Sequence, residues 1–228
     1  MENEKYKRLL QIISEEDLIK IQNKRIIIFG LGGVGGNALE ALVRSGFRRF
    51  TIVDNDVVDI TNLNRQLIAT TKTIGMPKVK VAKTRMLEIE PNCNINAVFE
   101  AVTPQNVANF NLELYDYIVD AIDSFEDKMA LIIYALKHNL PIISAMGAGN
   151  KIDPTKVIIT KIEKTEGCPL AKKVRYRLRQ EKLKGLMVVT SKELPLTNAG
   201  NKPGSSAFVP PAFGLAMASY ILRNVISK

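Results

Sequence analysis

Short runs of apolar residues alternate along most of this chain with longer segments in which apolar residues recur at helical spacing. Continuous apolar runs of this length are typical of strands that are buried on both faces of a parallel sheet. The pattern predicts helices between five strands, with the strands at residues 25–29, 49–53, 94–99, 115–121 and 141–145. Strict alternation of this kind predicts an α/β fold with a Rossmann-like, doubly wound, mostly parallel sheet.

The pattern differs at the two ends of the chain. Residues 1–24 predict a helical arm with a helix start at Ser14, and residues 25–147 predict the sheet core. Residues 148–228 predict an extension with a further strand at 157–162, a basic helix, a polar loop and an apolar terminal helix. The helical part of that last segment, from about Ala212, is roughly 15 residues, whereas a membrane span needs about 20. We therefore predict one domain of 228 residues with no stable membrane insertion.

A glycine-rich turn follows the first predicted strand. Gly30, Gly32 and Gly35, with Gly33 between them, have the spacing of a dinucleotide-binding turn, in which phosphate approaches the backbone at the start of a helix. Asp54 ends the second strand, where an acid would accept hydrogen bonds from ribose hydroxyls. These features predict a nucleotide site and leave NAD and ATP equally open.

The polar residues after the second strand favour ATP. An arginine and a lysine suit a triphosphate whose leaving pyrophosphate gains charge, and a hydride-transfer site has no evident need for them. The candidates are Asp56, Asn62, Arg65, Gln66 and Lys78, with Asn62 and Arg65 expected on one helical face. An NAD-dependent oxidoreductase remains the alternative that the glycine turn alone permits.

Asp123 and Ser124 follow the fourth predicted strand. In an open parallel sheet, ligands bind at the carboxyl ends of strands, so Asp123 is placed to hold Mg²⁺ beside the phosphates. The alternative is that Asp123 caps the next helix, although Ser124 is equally suited to that role.

Charge and cysteine content narrow the class of protein. The formal net charge of +9 and the pI of about 9.5 favour an anionic partner, with nucleic acid first and an anionic membrane surface second. Residues 172–184 are densely basic, and the candidate phosphate contacts there are Lys172, Lys173, Arg175, Arg177 and Arg179. Cys93 and Cys168 form no Cys-x-x-Cys pair, so the sequence offers no zinc knuckle and no redox motif. Two cysteines in a chain of this length exclude a disulfide framework and fit a reducing cytoplasm. We expect Cys168 to be structural rather than a nucleophile.

The ordered motifs resemble the ThiF/MoeB-like adenylating family, which includes ubiquitin-activating enzymes and the activators of sulfur-carrier proteins. The resemblance implies that the turn from Gly30 to Gly35, the acid Asp54, the Asn62 to Gln66 segment, Lys78 and Asp123 bind ATP and Mg²⁺. It also implies catalytic roles for Arg65, Lys78 and Asp123, and for Arg8, which stands where relatives often carry an arginine that reaches the partner subunit. Lys5 stands where a second such arginine is common.

Three further segments are similar to one branch of that family, the tRNA threonylcarbamoyladenosine dehydratases. They are residues 148–155, residues 168–171 and residues 206–211. This resemblance implies ATP-dependent cyclisation of the threonylcarbamoyl group on the adenosine beside the tRNA anticodon, with net loss of water. It further implies a cytoplasmic homodimer, a tRNA partner, a sulfur-relay partner and a monovalent cation.

Two other functions stay open on the sequence. One is adenylation of the C-terminal carboxylate of a sulfur-carrier protein, although such activators commonly carry paired zinc-binding cysteines that this chain lacks. The other is a tRNA-binding module without catalysis.

Overall fold

The structure is a computed structural model, and it describes residues 4–196 and 203–226. The described strands are β1 (Arg25–Phe29), β2 (Arg49–Val53), β3 (Asn94–Val98), β4 (Tyr117–Asp120), β5 (Ile142–Ala145), β6 (Val157–Lys161) and β7 (Met187–Ser191). The described helices are α1 (Glu15–Asn23), α2 (Gly35–Arg44), α3 (Lys78–Ile89), α4 (Phe125–Lys137), α5 (Pro169–Gln180) and α6 (Val209–Ile226).

The strands form one sheet in the order β3-β2-β1-β4-β5-β7-β6. All neighbouring pairs are parallel except β6 and β7, which are antiparallel. The predicted doubly wound, mostly parallel sheet is therefore confirmed. The strand order reverses between β1 and β4, and this switch point is where open α/β sheets bind their ligands.

Each face of the sheet is covered by its own apolar cluster. Ile26 and Ile28 of β1 pack on one face with residues of α2, α3 and α6, whereas Ile27 and Phe29 pack on the other with residues of α4 and α5. Successive side chains of a strand point to opposite faces, so a continuous apolar run is the pattern that two buried faces require. Among the described residues, no helix combines the length and the apolar character that a membrane crossing requires.

The extension differs in three ways from the prediction. Strand β7 was not predicted, and it lies between β5 and β6 in the sheet. The basic helix begins earlier and ends at Gln180, because Lys182 adopts a left-handed φ of 56°. Helix α6 begins at Val209 rather than near residue 212, and Pro210 and Pro211 occupy its first turn, where a missing N–H breaks no helical hydrogen bond. Residues 197–202 of the predicted polar loop lie outside the described residues.

The amino-terminal arm is anchored beside the amino ends of β2 and β3. Ser14 and Asp17 form a capping box at the start of α1, as predicted for Ser14. Tyr6 Oη donates to Glu90 Oε2 over 2.5 Å, and Lys5 Nζ lies 2.5 Å from the same oxygen. Burial raises the pKa of the Glu90 carboxyl, but the hydrogen bonds from Lys5 and Tyr6 outweigh it and lower the pKa to about 2.

Candidate active site

A cleft of about 900 Å³ lies at the carboxyl ends of β1, β2, β4 and β5. It contains most of the residues that the sequence singles out. Its lining includes Gly30, Gly32, Gly33, Asp54, Asp56, Arg65, Gln66, Lys78, Asp123 and Ser124. A second hollow, of about 640 Å³, lies at the amino ends of β1 to β3 and contains none of them.

The glycine turn fits between β1, α2 and the loop after β4. Gly30 has a φ of +86°, and a Cβ atom there would lie 2.6 Å from the carbonyl oxygen of Ala121. A Cβ on Gly35 would lie 1.8 Å from the carbonyl oxygen of Gly30. Any larger side chain at either position would push the turn apart. The turn thus brings backbone N–H groups and the amino end of α2 to the cleft, an arrangement that attracts anions.

Asp54 braces this turn. Its carboxylate accepts a hydrogen bond from the backbone N–H of Leu31 at 2.6 Å and another from that of Asp56 at 2.8 Å. Burial raises the pKa of the Asp54 carboxyl, and the charge of Lys78 and the two N–H donors partly offset that effect. The position is the one predicted for a ribose acceptor, and the carboxylate also fixes the turn itself, which the sequence did not predict.

Lys78 is buried at the first position of α3. Its Nζ lies 2.6 Å from Oδ2 of Asp56, whose side chain is exposed. The backbone holds the same pair together, because the N–H of Lys78 donates to the carbonyl of Asp56 at 2.9 Å. The ammonium is therefore fixed at the cleft wall, with one carboxylate partner that a phosphate can replace.

Arg65 and Gln66 line the cleft, whereas Asn62 does not. Nη1 of Arg65 donates to the carbonyl of Thr61 and to Oδ1 of Asn64, both at 2.9 Å, which orients the guanidinium. Oε1 of Gln66 is buried and has no hydrogen-bond partner within the described part of the chain. A buried acceptor of this kind can accept a hydrogen bond from a bound ligand or from an ordered water.

Asn62 has a local role instead. Its Oδ1 accepts from the backbone N–H of Asp59 at 3.0 Å and completes a capping box. Asn62 and Arg65 do not act together at the cleft, as a shared helical face would have them do. Asn62 caps the 3₁₀ helix Ile60–Asn62, whereas Arg65 follows that helix and lines the cleft.

Asp123 and Ser124 lie exposed on the cleft between β4 and α4. Ser124, rather than Asp123, occupies the capping position of α4, and its hydroxyl makes no capping hydrogen bond. The Asp123 carboxylate is thus not used by the helix. Within residues 4–196 and 203–226, no three metal-binding side chains cluster closely enough to hold a metal on their own. A metal at Asp123 would take its other ligands from phosphates and water, as Mg²⁺ does with nucleotides.

A buried ion pair supports the loop that carries Asp123, and sequence reasoning missed it. Nζ of Lys128 lies 2.7 Å from Oδ2 of Asp120, and both side chains are fully buried. Ser144 donates to the same oxygen at 2.5 Å, and the N–H of Ile122 donates to the other oxygen at 3.1 Å. Lysine is rarely buried without a partner. The signal in the sequence was an aspartate at the end of a buried strand, eight residues before a lysine.

The structure does not bring Arg8 into this cleft. Arg8 lies exposed in the amino-terminal arm, and Lys5 of the same arm pairs with Glu90 of its own chain. A role for Arg8 in catalysis therefore requires a second copy of the chain.

Helix α5 begins at the cleft and carries the predicted basic residues away from it. Cys168, Pro169 and Leu170 line the cleft, and Lys172, Lys173 and Arg179 are exposed farther along. The other two arginines are partly buried. Arg175 donates to the carbonyl and the hydroxyl of Thr165, and Arg177 lies 4.0 Å from Glu181.

Cys168 is buried at the amino end of α5. Its Sγ accepts a hydrogen bond from the N–H of Ala171 at 3.5 Å, and a Cβ on Gly147 would lie 3.2 Å from the sulfur. These contacts give Cys168 a packing and capping role, in line with the structural role expected for it.

A model of the ThiF family matches residues 6–228. The chain belongs to the ThiF family. The tRNA threonylcarbamoyladenosine dehydratase of Bacillus subtilis (strain 168) is 40% identical to it over 232 residues, which cover 94% of this chain and 91% of the relative. The resemblance seen in the sequence motifs is confirmed.

Two crystal structures match this ThiF-family chain over nearly its full length. The structure of Escherichia coli tRNA N6-threonylcarbamoyladenosine dehydratase in complex with AMP has a TM-score of 0.94 and 34% identity, covering 99% of this chain and 95% of that one. The same E. coli protein in complex with ATP has a TM-score of 0.93, 34% identity and the same coverage.

Proposed function

We propose that this ThiF-family protein is an ATP-dependent tRNA-modifying enzyme. It adenylates the carboxylate of the threonylcarbamoyl group on the adenosine beside the anticodon and then cyclises that group with net loss of water. The observation that carries the proposal is one cleft that combines a glycine turn, the cations Arg65 and Lys78 and the exposed Asp123 carboxylate. The chain is also similar over nearly its whole length to an E. coli dehydratase whose structures contain ATP and AMP.

Each cleft residue has a role in this reaction. The glycine turn and Asp54 bind the nucleotide, with Gln66 as a buried acceptor for a ligand donor. Arg65 and Lys78 stabilise the charge that develops on pyrophosphate as the α-phosphate is attacked. Asp123 holds Mg²⁺, which neutralises phosphate charge when bound. Catalysis then rests on positioning and electrostatics, and no enzyme nucleophile is required.

The partners follow from the same function. The exposed cations Lys172, Lys173 and Arg179 lie on a helix that starts at the cleft, so we assign them to tRNA phosphates. Arg177 and Arg175 are secondary contacts, because each already has a protein partner. Arg8 requires a homodimer in which it completes the partner's cleft. The sulfur-relay partner, the monovalent cation and the cytoplasmic location stay predictions from the resemblance.

Incubation with ATP, Mg²⁺ and threonylcarbamoylated tRNA tests the proposal. We expect the modified nucleoside to lose the mass of water, with AMP and pyrophosphate formed in equal amounts. Lys78→Met should slow the reaction about 10²–10³-fold. Lys80→Met is the matched control, because Lys80 is exposed two residues farther along the same helix.

A nucleoside of unchanged mass would contradict the substrate assignment. Pyrophosphate exchange that depends on a small protein ending in Gly-Gly, and not on tRNA, would favour activation of a sulfur carrier instead. Retention of full activity by Lys78→Met and by Asp123→Ala would show that this cleft is not the catalytic site.

A further inference from the structure

Three lysines are buried in the described part of the chain, and they differ in their partners. Lys78 is paired with Asp56, and Lys128 is paired with Asp120. Lys151 is 2% exposed and lines the cleft, yet its ammonium forms no ion pair with any carboxylate of residues 4–196 or 203–226. A charged group that is buried without an opposite charge is costly, so this ammonium is the exception that needs an explanation.

The protein provides a hydrogen-bond acceptor for only one of the three donors of the Lys151 ammonium. Nζ donates to the carbonyl of Ser191, at the end of β7, over 3.3 Å. The nearby Glu193 carboxylate accepts from the backbone N–H groups of Ile152 and Asp153 at about 3.0 Å instead. Burial lowers the pKa of Lys151, and the negative charge of the nearby Glu193 carboxylate partly opposes that effect. An ammonium has three donors, and two are left for a ligand.

The segment that carries Lys151 is held firmly at the rim of the cleft. The N–H of Asn150 donates to the carbonyl of Gly204 at 2.8 Å, and the N–H of Gly204 donates to Oδ1 of Asn150 at 2.6 Å. The hydroxyl of Ser206 donates to the carbonyl of Lys151 itself at 3.1 Å. These bonds fix the backbone on both sides of the cleft mouth, so the position of Lys151 is set before a ligand binds.

The strand order indicates which part of the ligand Lys151 meets. Asp54 follows β2, the glycine turn follows β1, Asp123 follows β4 and Lys151 follows β5, and these strands are neighbours in that order. Adjacent strands lie about 4.8 Å apart. The ribose site, the phosphate site and the metal site therefore come first along the cleft. Lys151 lines the same cleft one strand beyond Asp123, outside the row of positions assigned to the nucleotide.

We propose that the Lys151 ammonium binds the carboxylate of the threonylcarbamoyl group and later stabilises the same oxygen during ring closure. This inference rests on the proposed function, and it names the group that recognises the reacting end of the tRNA substrate. Lys151 is in that case a catalytic residue, because it touches the reacting atoms.

The chemistry places two demands on one cation. In the first step, one carboxylate oxygen attacks the α-phosphate, and the bond between that phosphate and pyrophosphate breaks. Lys151 binds the other oxygen and reduces repulsion between the carboxylate and the triphosphate. In the second step, an atom of the carbamoyl group attacks the acyl carbon, AMP leaves, and the proton of the attacking group passes to AMP or to solvent. The acyl oxygen gains negative charge as that ring closes, and the same ammonium stabilises it.

Single-turnover kinetics of Lys151→Met test the inference. We expect ATP affinity, measured by calorimetry without tRNA, to change less than twofold. The rates of acyl-adenylate formation and of ring closure should each fall about 10²–10³-fold. Lys151→Arg should recover part of both rates because it keeps the charge. Lys192→Met is the control, since Lys192 is exposed and lies next to Ser191.

A cycle that combines the Lys151 substitution with methylation of the substrate carboxylate tests the contact directly. The wild-type protein should bind threonylcarbamoylated tRNA at least tenfold more tightly than the same tRNA with its carboxylate methylated, whereas Lys151→Met should bind the two equally. Should the Met variant fail to fold, Lys151→Gln replaces it in the same cycle. An equal effect of methylation in both proteins would overturn the inference, and so would a loss of ATP affinity as large as the loss of rate. A wild-type protein that leaves the nucleoside unchanged would overturn the proposed function as well.

Discussion

Neighbouring glycines of the turn that we propose binds the nucleotide have very different surroundings. A Cβ on Gly35 would lie 1.8 Å from the carbonyl oxygen of Gly30, inside the turn. A Cβ on Gly36 would find its nearest neighbour, the carbonyl oxygen of Leu31, at 3.5 Å, which is an ordinary contact. Both residues lie in the first turn of α2. Substitutions at Gly35 and Gly36 can therefore be compared to distinguish a steric clash inside the turn from the general effect of replacing a helical glycine.

Gly35→Ala should abolish ATP binding and lower the melting temperature, because the backbone of the turn must move to accept the methyl group. Gly36→Ala should bind ATP normally and be equally or slightly more stable, since alanine favours a helix by about 1 kcal/mol over glycine. Calorimetric ATP titration and thermal unfolding of both variants check this. Equal ATP affinity in the two variants would show that the turn does not contact the nucleotide.

The sequence indicates the residue types of the site better than their contacts. The spacing of Asp54 after the turn predicts a nucleotide acid, because that relation depends on one crossover unit. The local role of Asn62 was not predictable, since it depends on a loop that forms a 3₁₀ turn rather than a helix. Lys151 lies in a segment that the sequence already marked by resemblance, but its isolation from carboxylates is a property of the folded cleft.

At the scale of elements, the contact between α2 and α6 supports the nucleotide turn from behind. A Cβ on Gly214 of α6 would lie 2.3 Å from the carbonyl oxygen of Val34 and 2.8 Å from the nitrogen of Ala38. Pro210, at the start of α6, approaches Gly33 in the same way, with 3.1 Å between its Cβ and the site of a Gly33 Cβ. The terminal helix is thus packed directly on the residues that shape the turn.

Gly214→Ala should lower stability by about 1–3 kcal/mol, because the added methyl group separates two helices that touch through backbone atoms. It should also weaken ATP binding, since Val34 belongs to the glycine turn. Leu215→Ala is the matched control, because Leu215 is 54% exposed and its loss should change stability by less than about 0.5 kcal/mol. Urea unfolding and ATP titration measure both effects. If Gly214→Ala is less stable but binds ATP as tightly as the wild-type protein, the packing of α6 does not support the glycine turn.

The strands that were predicted can be recognised from a few consecutive residues, whereas the missed strand depends on contacts with distant parts of the chain. Strands β1 and β2 were predicted with their observed bounds, because each is a continuous apolar run beside a turn residue. Strand β7 follows a basic helix closely, and its Thr190 and Ser191 are polar although buried, so its sequence gives a weaker strand signal. Its position between β5 and β6 depends on pairing with strands far along the chain.

At the scale of the whole molecule, Glu90 joins the amino-terminal arm to the sheet core. Lys5 and Tyr6 bind its carboxylate from the arm, and Arg48 Nη2 lies 3.5 Å away from the core side. The contacts from Lys5 and Tyr6 span more than 80 positions of sequence. They hold the arm, and with it Arg8, in one place on the surface.

Glu90→Gln should destabilise the protein at neutral pH by roughly 1–3 kcal/mol, because the arm loses its charged acceptor. The folded-state pKa of about 2 lies below the ordinary value of 4.5, so the stabilisation is complete above pH 4.5 and is lost as pH falls toward 2. The difference between wild type and variant in urea unfolding should shrink over that interval. Glu88→Gln, at an exposed neighbouring position, is the control. A difference that is constant from pH 7 to pH 3 would contradict the assignment.

The net charge of +9 acts over the whole surface, but the proposed tRNA contacts depend on where the individual cations lie. Lys172, Lys173 and Arg179 are exposed on the helix that leaves the cleft, and no ion pair ties any of them to a described carboxylate. Each phosphate contact releases condensed counterions and adds about 0.7–0.9 to the slope of log affinity against log salt. Alanine at all three positions should therefore reduce the slope by about 2–3, measured by fluorescence anisotropy with labelled tRNA at several salt concentrations.

Alanine at Lys7, Lys80 and Lys161 removes the same charge from exposed sites on the arm, α3 and β6, and should leave the slope nearly unchanged. Equal slopes in the two triple variants would mean that tRNA binds through the general field of the protein and not along α5.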